Sequence, residues 1–363
     1  MELERPSGRK GAPQHAVAAT SDAVQAQAEA LWPQIATQLG LPVSDARFRR
    51  LQVNSRRQLQ RSVLEITAAG GQRYVLRADI GVPLSDHFER VLDRHIAAAQ
   101  NLRARPGISA PEVLWRAPDS PCFLMEYAPG DTAFRTLDAT DYGLGNRADV
   151  LHQLGQAVAG LHDVSALGTR QFWPKSLLAR VTDQARAARS GQLKLPRPHK
   201  FLGLCALLHR LGRAARGREF IAAVEHGDLH LRNILMSPER VSFIDFSNHK
   251  GIFPQRDLAT IWLANCPDHL ARDGRAPGYG LVAQADWQAF QAGYGQDLVG
   301  DPVFRFFYAL RLFNAWLLLV KQHGAAEVPA EPGLGERAQE KTLRRADQFV
   351  EVFNALLSAE ADG

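Results

Sequence analysis

The stretch His226-Gly227-Asp228-Leu229-His230-Leu231-Arg232-Asn233 constrains this chain more than any other. A carboxylate and, five positions on, an amide side chain share one short loop, which runs straight into the apolar run Ile234-Leu235-Met236. A second apolar strand, Val241 to Ile244, then delivers another acid in Ile244-Asp245-Phe246, twelve residues after the amide. An H-G-D triplet alone arises by chance in ordinary acidic loops. H-G-D-x-x-x-x-N followed at this spacing by a strand ending in I-D-F is specific, because four polar positions and two strands must agree.

The segments around this loop divide the chain in two. Residues 1–20, rich in Gly, Pro, Ala and charge, lack periodicity and read as a flexible tail. Ser21 and Asp22 can cap a helix whose apolar positions Val24, Ala28, Leu31, Trp32, Ile35 and Leu39 recur at helical spacing until Gly40 stops it. Ser62–Thr67 and Arg73–Arg77 alternate about an Ala69-Gly70-Gly71 turn, the pattern of a hairpin. His87 to Leu102 reads as a helix, Pro111–Leu114 and Cys122–Tyr127 as strands, and Pro129-Gly130 as a break. Beyond it the periodicity becomes helical: Val150 to His162, Trp287 to Tyr294, Val303 to Gln322 and Ala338 to Leu357. The expected architecture is α+β, with a small antiparallel-sheet lobe over 21–126 and a mainly helical lobe over 127–363.

Hydrophobic content of 45% and charged content of 22% are ordinary for a soluble globular protein. The longest apolar run, Ala309 to Val320, contains Arg311 and Asn314, so no transmembrane segment is expected. The N-terminus begins with acids and lacks a signal-type apolar core, and three widely spaced cysteines, Cys122, Cys205 and Cys266, suggest neither a disulfide framework nor a zinc site. A reducing cytoplasm is expected. The net charge is only +5, but the excess is local: twelve Lys or Arg and a single acid, Asp183, lie between Arg170 and Arg218. Arg47, Arg49, Arg50, Arg56, Arg57 and Arg61 form a second cluster. Such runs are either solvated faces or a surface for an anionic acceptor, for phospholipid headgroups at the inner membrane face, or for nucleic acid. No nucleic-acid module signature or interleaved aromatic accompanies them, so no nucleic-acid partner is expected.

The chemistry that suits the loop is phosphoryl transfer, in which positioning and charge neutralisation dominate. Asp228 can take the proton of an attacking hydroxyl. Asn233 and Asp245 offer the hard oxygen ligands that Mg2+ prefers when it is shared with nucleotide phosphates. Gly227 allows close backbone approach. His226 and His230 read as residues that stabilise the loop by hydrogen bonds rather than enter the chemistry.

At these residues the chain resembles the aminoglycoside phosphotransferase and choline kinase superfamily, whose fold is protein kinase-like. The likeness spans roughly residues 48 to 320 in element order, with its specific motifs in 226 to 259. It implies ATP and Mg2+ as cofactors, Asp228 as catalytic base, Asn233 and Asp245 as metal ligands, and Asp257 of Asp257-Leu258-Ala259 as a brace for the loop. A helix N-cap is the plainer role for Asp257. Phe123-Leu124-Met125-Glu126-Tyr127 resembles the hinge that meets adenine; without the likeness it is a buried strand ending in a turn. Departures are visible. Arg77 stands where a lysine is usual, and either Glu89 or Asp93 could pair with it. Asn54-Ser55-Arg56-Arg57 replaces a glycine-rich loop, leaving Ser55 and backbone amides to contact phosphate.

Only eleven residues separate Asp245 from Asp257, too few to dock an extended peptide, and no A-P-E follows. The expected acceptor is a hydroxyl of a small molecule or sugar. The basic middle segment argues mildly against polycations, and Gln255 to Trp262 is similar to lipopolysaccharide-core kinases, which makes an anionic sugar the alternative. A nucleotide-binding scaffold without turnover is a second alternative, suggested by Arg77 and the absent glycine loop.

Overall fold

The computed structural model describes residues 21–56, 59–247, 251–264, 270–271, 274–324 and 334–361. The expected tail, Arg57 and Cys266 lie outside them. In chain order the elements begin with α1 (Ser21–Glu29), α2 (Trp32–Leu39), β1 (Arg47–Arg56), β2 (Leu59–Thr67), β3 (Arg73–Ile80), α3 (Asp86–Leu102), β4 (Ile108–Ser109), β5 (Val113–Arg116) and β6 (Cys122–Glu126). There follow β7 (Asp131–Thr132), α4 (Ala133–Asp141), α5 (Arg147–Val164), β8 (Ala166–Gln171), α6 (Lys175–Arg189), α7 (Pro198–Ala215) and β9 (Glu219–Ala223). A 3-10 turn (Leu231–Asn233), β10 (Ile234–Met236), β11 (Val241–Phe243), α8 (Pro254–Leu263), α9 (Gln284–Tyr294), α10 (Pro302–Gly324) and α11 (Leu334–Ala359) complete the order. The mixed α+β class read from the sequence stands. Two compact units result, one of residues up to 89 with 112–127, the other of 90–111 with 128 onward.

The first unit is built on an antiparallel sheet ordered β1-β2-β3-β6-β5. Strand periodicity sends Leu64 and Ile66 of β2, Leu76 and Ala78 of β3, and Leu124 of β6 to one face, where all are fully buried. Leu64, Leu76 and Leu124 are in register across three strands, and Trp32 and Ile35 of α2 cover them. The single helix expected over 21–39 is two helices. Pro33 sits in the first turn of the second, where its missing N–H and fixed φ are tolerated only at a helix start. Gly40 (φ 67°) ends it in the left-handed conformation, its N–H turned back to the carbonyls of Ala36 and Thr37.

Elsewhere in this unit Glu65, 5% exposed, accepts hydrogen bonds from the Nε atoms of Arg49 and Arg73, each at 2.7 Å. Burial alone would raise its pKa; the guanidinium bonds outweigh that and hold it low. Arg50 pairs with Asp22, and Arg61 holds Asp79 bidentately. Three arginines of the cluster from Arg47 to Arg61 are therefore matched to carboxylates within the unit and are not a patch for an external anion.

The second unit combines a small sheet, ordered β4-β11-β10-β7, with the helices. Its β10–β11 hairpin pairs Ile234 with Phe243 and Met236 with Val241, which puts Asn233 and Ile244 at the same end. The antiparallel pair β8–β9, whose strands are joined through α6 and α7, and helix α4 were not legible in the sequence. The basic segment forms α6 and α7. Helix α7 buries Phe201, Leu204, Leu208 and Leu211, and Phe201 stacks on Phe313 of α10 at 5.3 Å. Helix α10 holds the one stretch among the described residues long and apolar enough to cross a membrane, Pro302–Leu319, and two-thirds of it (67%) is buried within the fold. Phe304, Phe306, Phe313 and Trp316 are fully enclosed, the environment of a core helix.

Helices α5 and α9 cross where Gly155 faces the Phe290 carbonyl and Gly293 faces the His152 carbonyl. A Cβ on either glycine would fall inside contact distance of that backbone oxygen. The approach brings Tyr294 of α9 to His162 of α5. Gly293→Ala is expected to destabilise the fold by about 1–3 kcal/mol through overpacking. A denaturant midpoint equal to wild type would contradict this reading of the crossing.

Candidate active site

One buried carboxylate organises the loop. Asp257, 1% exposed on α8, accepts from the backbone N–H of His226 at 2.6 Å and of Gly227 at 2.9 Å, one oxygen for each. His162 Nε2 lies 3.4 Å from the oxygen that serves His226, and the other ring nitrogen of His162 meets the Tyr294 hydroxyl at 3.0 Å. Burial would raise the Asp257 pKa. The hydrogen bond and charge of His162, the charge of His226 and the Gly227 N–H reverse that, and the group is held below its ordinary value. Its carboxylate caps no helix; the cap position of α8 is Phe253, without a side-chain bond. Bracing is the geometry observed.

His226 is the second anchor. Its Nε2 lies 3.0 Å from the Ile244 carbonyl and its Nδ1 accepts the Asp228 N–H at 3.4 Å, so the neutral Nε2–H tautomer satisfies both nitrogens. Burial pushes its pKa down to about 4 even though the charges of Asp257, Asp228 and Asp245 oppose the shift. The ring is therefore neutral near pH 7, stacked on Phe246 at 4.2 Å. Gly227 bends the chain at φ 85°, a conformation that favours glycine.

Downstream of Asp228 the loop closes on itself. Its carbonyl accepts from His230 N at 2.9 Å and from Asn233 Nδ2 at 3.0 Å. His230 caps the 3-10 turn through Nδ1, which accepts the Arg232 N–H at 3.2 Å, and its Nε2 is 3.8 Å from the Asp228 carboxylate. Asn233 O accepts from Ile244 N at 3.0 Å, which ties the loop to the segment after β11 that carries Asp245. With the amide nitrogen engaged, the Asn233 side-chain oxygen is directed away from that bond. Asp245 is exposed and has φ 60°, a strained conformation for a non-glycine residue and one that clusters at functional sites. Asp228, with its side chain 49% exposed, is open to solvent. The structure thus brings Asp228, Asn233, His226, His230 and Asp257 into one bonded loop, with Asp245 close enough for its charge to reach His226.

The remaining expected residues lie elsewhere. Arg77 on β3 is half-buried, with its Nε enclosed and its guanidinium carbon 5.8 Å from the Phe123 ring centroid, so it is not a solvent-facing strand residue. Tyr127 lies under Arg73, whose guanidinium carbon is 3.5 Å from the ring centroid, and Glu126 Oε2 accepts the Glu112 N–H at 3.2 Å. Glu89 and Asp93 are both exposed on α3, Glu89 in the first unit and Asp93 in the second. Ser55 is on β1; its side chain falls outside the described residues.

Several residues near the loop were not anticipated. Glu225, immediately before His226, is 2% exposed; its Oε1 accepts the Phe253 N–H at 2.9 Å and its carbonyl accepts from Arg94. Gly251 leaves room for that carboxylate, since a Cβ there would clash with it. Desolvation raises the Glu225 pKa to about 7, against the bond from Phe253 and the charges of Arg256 and Arg94. Arg311 and Asn314 of α10 line a cavity of about 550 Å³ that also reaches Gly227. Their only sequence signal is two polar positions, three apart, in an apolar run.

Residues 50–292, well over half of the chain, match the phosphotransferase enzyme family (APH). The chain belongs to this family. The fold of this phosphotransferase is shared with a choline/ethanolamine kinase family protein from Mesorhizobium loti (16% identity, 94% of this chain and 100% of that one covered, TM-score 0.58). It is also shared with a macrolide 2′-phosphotransferase from Brachybacterium faecium (17%, 86% and 96%, TM-score 0.51). A third match is the amicoumacin kinase hAmiN in complex with AMP-PNP, Ca2+ and Ami (14%, 88% and 96%, TM-score 0.50). The kinase-like fold and the enzyme class expected from the motifs, a phosphotransferase with an alcohol-group acceptor, agree with this family.

Two outcomes follow for the phosphotransferase. Asp257→Ala strands two backbone donors and is expected to cost about 3–5 kcal/mol in chemical denaturation, as loss of a buried charged partner does; a change within error of zero would refute the brace. The second outcome concerns pH. The folded chain keeps the Glu225 proton to about pH 7, whereas the unfolded chain releases it near the ordinary 4.5, so stability falls as pH rises through that window. Glu225→Gln, which has no proton to lose, should therefore gain on wild type between pH 5 and pH 8 by about 2–3 kcal/mol. A difference that does not change with pH would contradict the assignment.

Proposed function

We propose that this chain transfers the γ-phosphate of ATP, with Mg2+, to a hydroxyl group of a small molecule or sugar. The observation that carries the reading is the Asp228 carboxylate, half-exposed on a loop whose backbone is held by Asp257 and His226 on one side and by Asn233 on the other. Asp228 accepts the proton of the attacking hydroxyl. His226 stays neutral at pH 7 and accepts the Asp228 backbone N–H through Nδ1, so it holds the loop without placing a positive charge beside the base. His230 keeps the turn closed beside it.

The donor set suits Mg2+. Asn233 and Asp245 each present a hard oxygen, and among the described residues no cluster of three or more His, Cys, Asp or Glu side chains could close a metal cage. A cation held by two protein oxygens and completed by phosphate and water is what this arrangement fits. When bound, such an ion neutralises phosphate charge. In the first unit Arg77, Ser55, Glu126 and Tyr127 are assigned to the nucleotide. The AMP-PNP carried by the amicoumacin kinase supports ATP as donor. The short run from Asp245 to Asp257 supports a small acceptor over a peptide. A cytoplasmic place of action, where ATP and Mg2+ are supplied, goes with the reading.

Magnesium-dependent ADP release should be measured with a panel of amino alcohols, neutral sugars and acidic sugars. Asp228→Asn is expected to lower kcat by roughly 10²–10⁴-fold, the range of general base catalysis, while ATP still binds. Asn233→Ala and Asp245→Ala should instead raise the magnesium concentration needed for half-maximal rate. A wild type as inert as Asp228→Asn across the panel, with ATP still bound, would leave a nucleotide-binding scaffold.

A further inference from the structure

Arg311 and Asn314 are three residues apart on α10, an otherwise apolar core helix that lies beyond the residues matching the family. Both line the cavity of about 550 Å³ whose wall includes Gly227, Asp257, Arg180 and Arg256. The Arg311 Nε and the Asn314 Oδ1 are buried and have no hydrogen-bond partner among the described residues. Unmet polar atoms of this kind are completed by water or by a ligand, and these two share one cavity wall, where a single bound molecule can reach both. Burial lowers the Arg311 pKa and the charge of Asp228 raises it, which sets Arg311 within electrostatic reach of the base.

The charges on this wall do not cancel. Asp257 is committed to His226 and Gly227. Glu225 takes the Phe253 N–H and stands 3.9 Å from Arg256, whose guanidinium also lies over Phe253 and Phe307. That leaves Arg180, exposed on α6, and Arg311 with no carboxylate partner among the described residues. Two unmatched guanidinium groups repel a cationic acceptor and match the planar, two-oxygen edge of a carboxylate or phosphate.

We propose that the acceptor carries, besides the hydroxyl that is phosphorylated, an anionic group (carboxylate or phosphate ester) seated on Arg311, with Asn314 beside it and Arg180 at the cavity mouth. The proposal rests on the phosphotransfer reading, because it takes this cavity as the acceptor's. Arg311 then acts as a specificity-determining residue that holds the hydroxyl compound near Asp228.

The test uses the full chain loaded with Mg2+ and AMP-PNP, so that added anions cannot enter through the nucleotide's place. Glucose, glucosamine, glucuronate, glucose 6-phosphate and inorganic sulfate are titrated calorimetrically at low ionic strength. The anionic sugars are expected to bind at least about tenfold more tightly than glucose and glucosamine. Arg311→Gln should remove that preference, and Arg311→Lys should retain part of it. The glucuronate and glucose 6-phosphate arms separate a carboxylate from a phosphate as the group recognised. Should Arg311→Gln fail to fold, Arg180→Gln, at an exposed position, is expected to weaken the anions alone by a smaller factor. The proposal is overturned if neutral or cationic sugars bind as tightly as anionic ones, or if sulfate binds wild type and Arg311→Gln equally. It is also overturned if Arg311→Gln raises the KM for ATP rather than for the acceptor. Turnover of choline or glucosamine that depends on Asp228 but not on Arg311 would sink this inference and leave the phosphotransfer reading intact. Asp228→Asn that binds the anionic sugars normally but transfers nothing separates the two in the other direction.

Discussion

The carboxylate of Asp257 is the interaction on which the site depends. Taking an ionised acid to 1% exposure is costly unless its oxygens are met, and here they are met by two consecutive loop N–H groups and an imidazole. Each partner in turn requires a piece of the fold. His162 is on α5 and is fixed by Tyr294 of α9, and those helices approach closely only because Gly155 and Gly293 carry no side chain. The loop that carries Asp228 is thus positioned by helix packing well away from it, and its own residues need only preserve the bend at Gly227 and the closure through Asn233.

A division of labour among the ionisable groups follows from burial. His226 is driven neutral and serves as a two-sided hydrogen-bonding strut. Glu225 is enclosed until its proton is retained to about pH 7. Asp228 alone among these neighbours keeps a side chain half open to solvent. Groups that hold the loop are desolvated, and the group assigned to meet the acceptor is not. The same contrast separates the arginines. Arg49, Arg50, Arg61 and Arg73 are matched to Glu65, Asp22 and Asp79 in the first unit, whereas Arg311, half-buried beside the loop, has no carboxylate partner among the described residues.

What could be read in the sequence was what is local. The loop from His226 to Asn233 and the strand to Asp245 were legible because spacing and strand pattern lie within a short segment, and Asp257 followed at a fixed interval. The α2 break was available in principle, since Pro33 interrupts the helical pattern, but the continuous apolar spacing from Val24 to Leu39 outweighed it. Strand β8 offered no signal: all six of its residues are exposed, so nothing alternates. Tyr294, His162 and Glu225 escaped because each acquires its meaning from a partner far along the chain. Arg311 and Asn314 were visible, but as obstacles to a membrane span. Only the cavity beside Gly227 turns them from interruptions in an apolar helix into the polar lining of a cavity wall.

The most direct test of the central account is to follow the γ-phosphorus of ATP by 31P NMR in a single turnover with wild type and Asp228→Asn, in the presence of the acceptor sugars. The account predicts that, with wild type, the ATP signal is replaced by ADP and by a phosphomonoester on a sugar hydroxyl, and that Asp228→Asn holds ATP unchanged over the same interval. Appearance of the phosphorus only as inorganic phosphate, or an equal rate of ester formation in Asp228→Asn, would contradict it.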